Sequence, residues 1–303
     1  MSDMVIREAT EADVPHLSRV RYAAFPWYVA SLSNQVNRWR TVTAATRTLR
    51  LLTEVDGVVV AVGVAGFNDH TSQPGAAVIH IVVDPAHRRR GIGSALHDRL
   101  EAHLRDIGAR QVRGITEHDP GDHAFALARG YRPGARNRFS RIDTGTLPPR
   151  PPVPAGVELR TAAEVGPEAV FTLEHAAMLD LPGDVPYDGL GYADWLDRSW
   201  HNPDQLPDVG VVAVVDGVPA SVTLVEGNRE LGRAMTQTTS TLRAYRGRGL
   251  ARLVKWESLR RAAQAGIHTA FTCNDYENAA MLAVNDWFGY EIFASEQAYL
   301  KEL

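Results

Sequence analysis

Asp84-Pro85-Ala86-His87-Arg88-Arg89-Arg90-Gly91-Ile92-Gly93-Ser94 and Leu242-Arg243-Ala244-Tyr245-Arg246-Gly247-Arg248-Gly249-Leu250-Ala251 are the two stretches that decide how this chain folds. Each follows a run suited to a strand, Ala77–Val83 and Ala234–Thr241, and each opens a segment of helical periodicity. Leu96, Leu100 and Leu104 fall four residues apart in the first helix, predicted over Ile92–Asp106. Leu250, Leu253, Val254 and Leu259 line one side of the second, predicted over Gly249–Ala265. Both turns read Arg-x-x-Gly-x-Gly/Ala at a helix entrance. Unpaired N–H groups at a helix start, the helix dipole and flanking guanidiniums together favour an anion. The glycines let the backbone close around a pyrophosphate. An ordinary tight connection is the competing reading for one such turn, and a second copy at the matching position argues against it. The dinucleotide fingerprint Gly-x-Gly-x-x-Gly is absent from both.

Working outward, further landmarks repeat in the same order. Arg7 and Arg160 lie in the opening strands, and the hairpin turns Val55-Asp56-Gly57-Val58 and Val215-Asp216-Gly217-Val218 follow. After the Arg/Gly turns come Gly130-Tyr131 and Gly289-Tyr290. The near-constant spacing implies an internal duplication. Between the copies, Thr144–Gly156 holds Pro148, Pro149, Pro151, Pro152 and Pro154, which excludes helix or central strand. The expected organisation is a domain over 1–145, a Pro-rich linker over 146–156 and a second domain over 157–303. Strands joined by a crossover helix imply an α/β sheet containing a parallel pair.

The 303 residues carry a formal net charge of −4, 45% hydrophobic and 22% charged residues, as in an ordinary globular protein. Residues 1–150 hold 20 Arg against 15 Asp+Glu, and the remainder holds 12 Lys+Arg against 21 Asp+Glu. Halves of opposite sign are expected to serve different partners. Nucleic acid is not expected, because the basic half lacks a dense basic stripe interleaved with aromatics. No apolar run reaches bilayer length, so no membrane partner is expected. The N-terminus turns charged at once and Cys273 is the single cysteine, so the expected location is cytoplasmic. No metal site is expected, and the state is monomer or homodimer.

These features together resemble the GCN5-related N-acetyltransferase (GNAT) family, whose pyrophosphate motif is Arg/Gln-x-x-Gly-x-Gly/Ala, in the two-domain layout of mycothiol synthase-like members. The resemblance implies two tandem GNAT domains, each a mixed, mostly antiparallel twisted sheet with helices on both faces. It implies acetyl-CoA, or another acyl-CoA, as cofactor, and direct transfer to a primary amine of a small-molecule acceptor. Carried over by motif, the cofactor-binding residues are Val82, Val83, Arg88, Arg89, Arg90, Gly91, Ile92, Gly93 and Ser94 in the first half. In the second half they are Thr241, Leu242, Arg246, Gly247, Arg248, Gly249, Leu250, Ala251, Asn274 and Asn278. The family's N–H donor to the thioester carbonyl comes from a bulge near the end of the strand before the turn, which maps to Val82–Val83 and Ser240–Thr241.

Asn278-Ala-Ala-Met281 matches the family's pantetheine-contacting helix, and Asn285 stands where a general-acid tyrosine is common. The first half, Asp119-Pro-Gly-Asp122-His-Ala-Phe125, keeps neither the Asn nor the Tyr. The second half is therefore the expected catalytic domain, with Glu226, Ser240, Thr241 and Asn285 as catalytic candidates. Glu226 is the expected base, or else a solvated hairpin residue. Strand Met235–Thr241 is unusually polar, and lines an acceptor cleft or pairs its hydroxyls with one another. His80 is a base candidate in the first half, or a satisfied core histidine. Cys273 is a structural thiol. Glu174, Asp180, Asp184, Asp188, Asp194, Asp197, Asp204 and Asp208 run through the expected acceptor lid with Tyr187, Tyr192, Trp195 and Trp200, and point to a cationic acceptor. Two active sites, or a non-catalytic acyl-CoA sensor, are the other readings.

Overall fold

The computed structural model describes residues 3–117, 120–178 and 188–303. In chain order the first half forms β1 (Met4–Glu8), α1 (Val14–Ala24), α2 (Leu32–Arg40), β2 (Leu49–Val55), β3 (Val58–Phe67), β4 (Ala76–Val83), α3 (Ile92–Asp106), β5 (Gln111–Glu117), α4 (Pro120–Leu127) and β6 (Arg132–Asp143). The second half forms β7 (Val157–Thr161), the single-turn α5 (Ala162–Val165), α6 (Pro167–Met178), the single-turn α7 (Tyr192–Trp195), β8 (Val211–Val215), β9 (Val218–Asn228), β10 (Arg233–Thr241), α8 (Leu250–Gln264), β11 (Thr269–Asp275), α9 (Ala279–Phe288) and β12 (Glu291–Glu302). The Asp-Gly hairpins form as expected, with both central residues left-handed: Asp56 and Gly57 at φ 50° and 77°, Asp216 and Gly217 at 48° and 85°. No helix among the described residues is long and apolar enough to cross a membrane.

The chain divides into two compact units, and the division does not follow the linker. Unit 1 comprises Met1–Tyr28, Leu32–Gly134 and Gln297–Leu303, and unit 2 comprises Val29–Ser31 and Ala135–Glu296. Most of β6 thus belongs to unit 2, where it pairs antiparallel with β11 from Asp143↔Thr269 to Asn137↔Asp275. The end of β12 belongs to unit 1 beside β5, with the Leu303 amide donating to the Arg110 carbonyl at 2.9 Å. The boundaries expected at 145 and 157 do not coincide with this division. An antiparallel edge accepts any strand of suitable pattern, so local sequence does not say which copy supplies it.

Within unit 1, β1 to β4 pair antiparallel in sequence order and β5 runs parallel to β4. Alternation sends Leu51 to one face, against Leu96, Leu100 and Leu104 of α3, and Leu52 to the other, against Leu17 and Val20 of α1. Each of these buried leucines contributes about 2 kcal/mol through its removal from water. Gly63 lets α3 come close, since a Cβ there would lie 2.7 Å from Leu100 Cδ1. Unit 2 repeats the plan, with α6 on one face and α8 on the other. Its linker lies along α8, where Trp256 Nε1 donates to the Pro148 carbonyl at 2.8 Å.

Candidate active site

The cleft in unit 1 starts from strand pairing. β4 and β5 are paired only from Ala76↔Gln111 to Ile79↔Gly114, yet both strands continue, to Val83 and Glu117. Beyond Ile79 they splay, and a cavity of about 700 Å³ occupies the gap. Ile81, Val83, Ile115 and Phe125 give it apolar walls, while His87, Arg88, Arg89, Gly91 and Ser94 form one end.

That end is the start of α3. Gly91 caps the helix at φ 82° without a side-chain hydrogen bond, and the first amide bonded within the helix is Ala95, to the Gly91 carbonyl at 3.0 Å. The Ile92, Gly93 and Ser94 amides therefore have no partner within the helix. Arg88 Nε donates to the Val83 carbonyl at 3.3 Å, and an Arg90 amine donates to the Ala86 carbonyl at 3.3 Å. Ser94 Oγ accepts from Arg129 at 2.6 Å, and the Arg129 guanidinium lies 3.6 Å from the Phe125 ring centre. Open amides and exposed guanidiniums suit a pyrophosphate, and a narrow apolar groove beyond suits a pantetheine arm.

Unit 2 carries the same turn. Gly249 caps α8 at φ 76°, Arg246 Nε donates to the Thr241 carbonyl at 3.1 Å, and Arg248 reaches the Ala244 carbonyl at 3.5 Å. Gly247, left-handed at φ 77°, holds the position that Arg89 holds at φ 64° in the first copy. Leu250 is buried, whereas Leu242 and Ala251 are partly exposed. β10 and β11 likewise pair only from Arg233↔Thr269 to Met235↔Phe271 before separating.

The amide donors resolve by alternation. The Asp84 amide donates to Val60 on β3, and the unbroken register carries that direction back to Val82 and His80. Val83 and Ile81 then turn their N–H groups into the splay, and Val82 does not. In unit 2 the Leu242 amide donates to Ala220, so Ser240 faces β9 and Thr241 and Thr239 face the gap. A bulge sits only in the second copy, between Thr236 and Thr238, earlier in the strand than Ser240–Thr241. Of the pairs Val82–Val83 and Ser240–Thr241, it is thus Val83 and Thr241 whose amides face the gap.

The polar candidates of the second half are bound to one another. Glu226 is neither solvated nor open: it is 7% exposed, and its Oε1 accepts from Asn202 Nδ2 at 2.6 Å. Asn285 is 2% exposed, accepts from Lys255 Nζ at 2.6 Å and donates to Asn274 Oδ1 at 2.6 Å. Asn278 caps α9, accepting from the Met281 amide at 3.2 Å. The hydroxyls of β10 pair as the second reading of that strand had it: Ser221 with Thr241 at 2.8 Å, Thr223 with Thr239 at 3.1 Å, Thr238 with Ser240 at 2.9 Å. Burial alone brings the Lys255 amine down to about 7. Cys273 lies within β11 with its thiol pushed up, first by burial and then by Glu296 and Asp275, which removes thiolate character.

Two acids of the expected lid, Glu174 and Asp204, are buried and engaged. Asp180, Asp184 and Tyr187 lie outside the described residues. Glu174 is buried against Trp195, whose Nε1 donates to it at 2.9 Å, and burial lifts the carboxyl to about 7 against that bond. Asp204 is buried and accepts from the Ser31 amide at 2.7 Å. Trp195 packs in the core with Phe171 at 5.4 Å and Trp200 at 5.7 Å. Asp188, Asp194, Asp197 and Asp208 are exposed.

Sequence reasoning missed the polar wall of the first cleft. Tyr299, from β12, is 1% exposed, lines the cavity and hydrogen-bonds His123 Nδ1 on α4. A second pair, His97 Nε2 and the Tyr131 hydroxyl, stands at 3.1 Å in the same wall. Burial lowers the His97 pKa and raises those of both tyrosines. Gly130-Tyr131 was legible as a repeat landmark, whereas nothing local to Tyr299 ties it to the first half. His80 lies on the opposite face of β4 from Ile79 and Ile81. Its ring is reachable by solvent, yet the surrounding protein, then the guanidiniums of Arg113 and Arg21, hold it down to about 4. It is not a core histidine, and at that value it is a weak base.

Comparison with known proteins agrees with this geometry. Residues 15–131 match the sequence profile of the acetyltransferase (GNAT) family. The mycothiol acetyltransferase of Saccharomonospora viridis is 27% identical over 235 residues, covering 74% of each chain. A tandem GNAT protein from the clavulanic acid biosynthesis pathway, solved without acetyl-CoA, superposes with a TM-score of 0.79 at 22% identity, over 99% of this chain and 98% of that one. A GCN5-related N-acetyltransferase from Sphaerobacter thermophilus gives 0.76 at 18% identity, over 99% and 95%. Residues 15–131, which contain the first Arg/Gly turn and the splayed strands, thus match the acetyltransferase (GNAT) family, and the chain over its whole length shares the fold of a tandem GNAT protein.

Proposed function

We propose that the chain is an acyl-CoA-dependent N-acyltransferase whose active site is the cleft of unit 1. The observation that carries this reading is the roughly 700 Å³ cavity between β4 and β5, closed at one end by the uncapped start of α3. Acyl-CoA, with acetyl-CoA the expected form, supplies an activated thioester and a thiolate leaving group. The α3 amides and Arg88 hold its pyrophosphate. Val83 N–H, or Ile81 N–H one step earlier, polarises the acyl carbonyl from the splay. Apolar walls exclude water, and the acceptor amine approaches as the free base. The Tyr299 hydroxyl, partnered by His123, is placed to protonate the departing sulfur, the role the sequence reading had assigned to the position of Asn285, and the tyrosinate so formed takes up the proton that the acylated nitrogen releases.

Unit 2 keeps a pyrophosphate-type turn, but it carries Lys255 where the first copy has His97, and that amine is bound into a Lys255–Asn285–Asn274 chain of hydrogen bonds. This favours a supporting role for it, and reverses the preference drawn from the sequence. Calorimetry of the full chain with acetyl-CoA, followed by thiol release over a panel of amines, tests the proposal. Binding without transfer to any amine would favour a sensor, and no binding would refute the reading.

A further inference from the structure

The face of the unit 1 sheet beneath α1 and α2 gathers guanidiniums. Register sets Arg50 on β2 opposite Val64 on β3, and Val64 opposite His80 on β4, so the three stand in one row. Arg113 pairs with Val78 on the adjoining strand, at the point where β4 and β5 begin to part. Arg21 lies on α1 one turn after Leu17, which packs on this same face with Val62, Val64 and Val82.

The groups that hold these cations are neutral. An Arg21 amine donates to Gln35 Oε1 at 3.1 Å, and Gln35 is itself 4% exposed and donates to Ser18 at 2.7 Å. Arg50 donates to the Trp39 carbonyl at 3.3 Å and lies 4.1 Å from the Trp39 ring centre. Among the described residues, neither Arg21 nor Arg50 forms an ion pair with a carboxylate. The nearby acids are engaged: Asp13 and Glu54 by Arg7, Glu11 by Arg40, Asp84 by Arg19 at 3.6 Å. Burial and like charge depress Arg21 and Arg50, the first beside Arg38 and the second beside Arg21. Folding has thus packed the Arg21 and Arg50 guanidiniums close enough for the first to depress the second, with neither ion-paired to a carboxylate among the described residues, an arrangement that an anion stabilises.

The location gives this charge a use. Val82 belongs to this face and also lines the cavity, together with Phe25 just beyond α1, so the basic face adjoins the acyl site through the splay. An acceptor with its amine at the Val83 amide would have its other end under α1. We propose that the acceptor of the unit 1 site is an amine bearing a carboxylate, which Arg21 and Arg50 recognise beside His80. This rests on the acyltransferase reading of the same cleft, and it reverses the cationic acceptor expected from the acidic second half.

Binding can be read without turnover. The full chain, saturated with coenzyme A, is titrated by calorimetry with N-acetylglycine, N-acetyl-β-alanine and N-acetyl-4-aminobutyrate, and with the neutral amide of each. The expected result is that one acid at least binds about tenfold more tightly than its amide, the worth of one charge-assisted pair. The preference disappears in Arg21→Gln and weakens in Arg50→Gln, while coenzyme A binds these variants as it does the wild type. Equal binding of acid and amide by the wild-type chain throughout the series overturns the proposal whether or not the variants fold. Failure of coenzyme A itself to bind overturns the acyltransferase reading, and this inference with it.

Discussion

Tyr299 and His123 lie 176 residues apart in the chain and share a hydrogen bond in the wall of the unit 1 cleft. The pairing follows from the closing strand: β12 ends beside β5, so a residue of the second half completes the first site. Lys301, two residues on, reaches Glu101 of α3 at 2.7 Å and ties the same strand to the helix that opens at the Arg/Gly turn.

Tyr299→Phe removes the proton and keeps the ring that packs in the core. The expected outcome is a fall in kcat of about 100-fold, the size of a lost general acid, with the KM for acetyl-CoA nearly unchanged. Steady-state thiol release against the best amine of the panel measures both. An unchanged kcat would mean that the leaving thiolate takes its proton elsewhere.

Arg88→Glu and Arg246→Glu separate the two turns. Reversing charge at a pyrophosphate site removes a charge-assisted contact and adds repulsion, so Arg88→Glu raises the KM for acetyl-CoA by roughly tenfold to a hundredfold. Arg246→Glu leaves kcat and that KM near wild type, because the unit 2 turn is assigned no part in transfer. Equal losses in the two variants would restore catalysis to the second copy.

Lys255 predicts a pH dependence of stability. Its amine titrates near 10.5 in the unfolded chain and at about 7 when buried. Between those values the unfolded chain binds more protons, so rising pH stabilises the fold. The contribution is complete above 10.5 and is lost as pH falls through 7. Relative to Lys255→Met, the wild type should gain stability between pH 7 and 9 at up to about 1.4 kcal/mol per pH unit, read by urea denaturation. Parallel profiles for the two proteins would refute a buried neutral amine.

Glu174 predicts the opposite slope at lower pH. Its carboxyl rises from 4.5 to about 7, so the folded chain binds the extra proton between those values. The associated stability is present below 4.5 and is lost as pH rises through 7. Glu174→Gln keeps an acceptor for Trp195 Nε1 and should flatten the melting temperature between pH 5 and 8. A wild-type profile already flat there, beside an identical variant, would contradict the assignment.

Much of the fold was legible because its signals are local. The Asp-Gly hairpins, the leucine spacing of α3 and the helix-opening glycines each act within a few residues. The α3 limits fall at Ile92 and Asp106 as its periodicity predicts. The site was less legible, since the fate of a polar side chain depends on what packs against it. Asn285 read as a substitute for a catalytic tyrosine, but a fully buried Lys255 engages it from α8. Glu226 read as a base or a solvated residue, and Asn202 from a distant loop engages it instead.

The sequence by itself determined that this protein contains two copies of a basic strand–turn–helix connection, because Arg88–Gly93 and Arg246–Ala251 carry their conformation and charge in consecutive residues. Tertiary structure alone decided which side chains line the gap between the splayed strands of the first copy. Strand exchange sets the partners of Tyr299, and sheet register sets Arg50, His80 and Arg113 beneath Arg21. Both depend on pairing between segments far apart in the chain, and a strand's own pattern does not say which distant segment it will pair with.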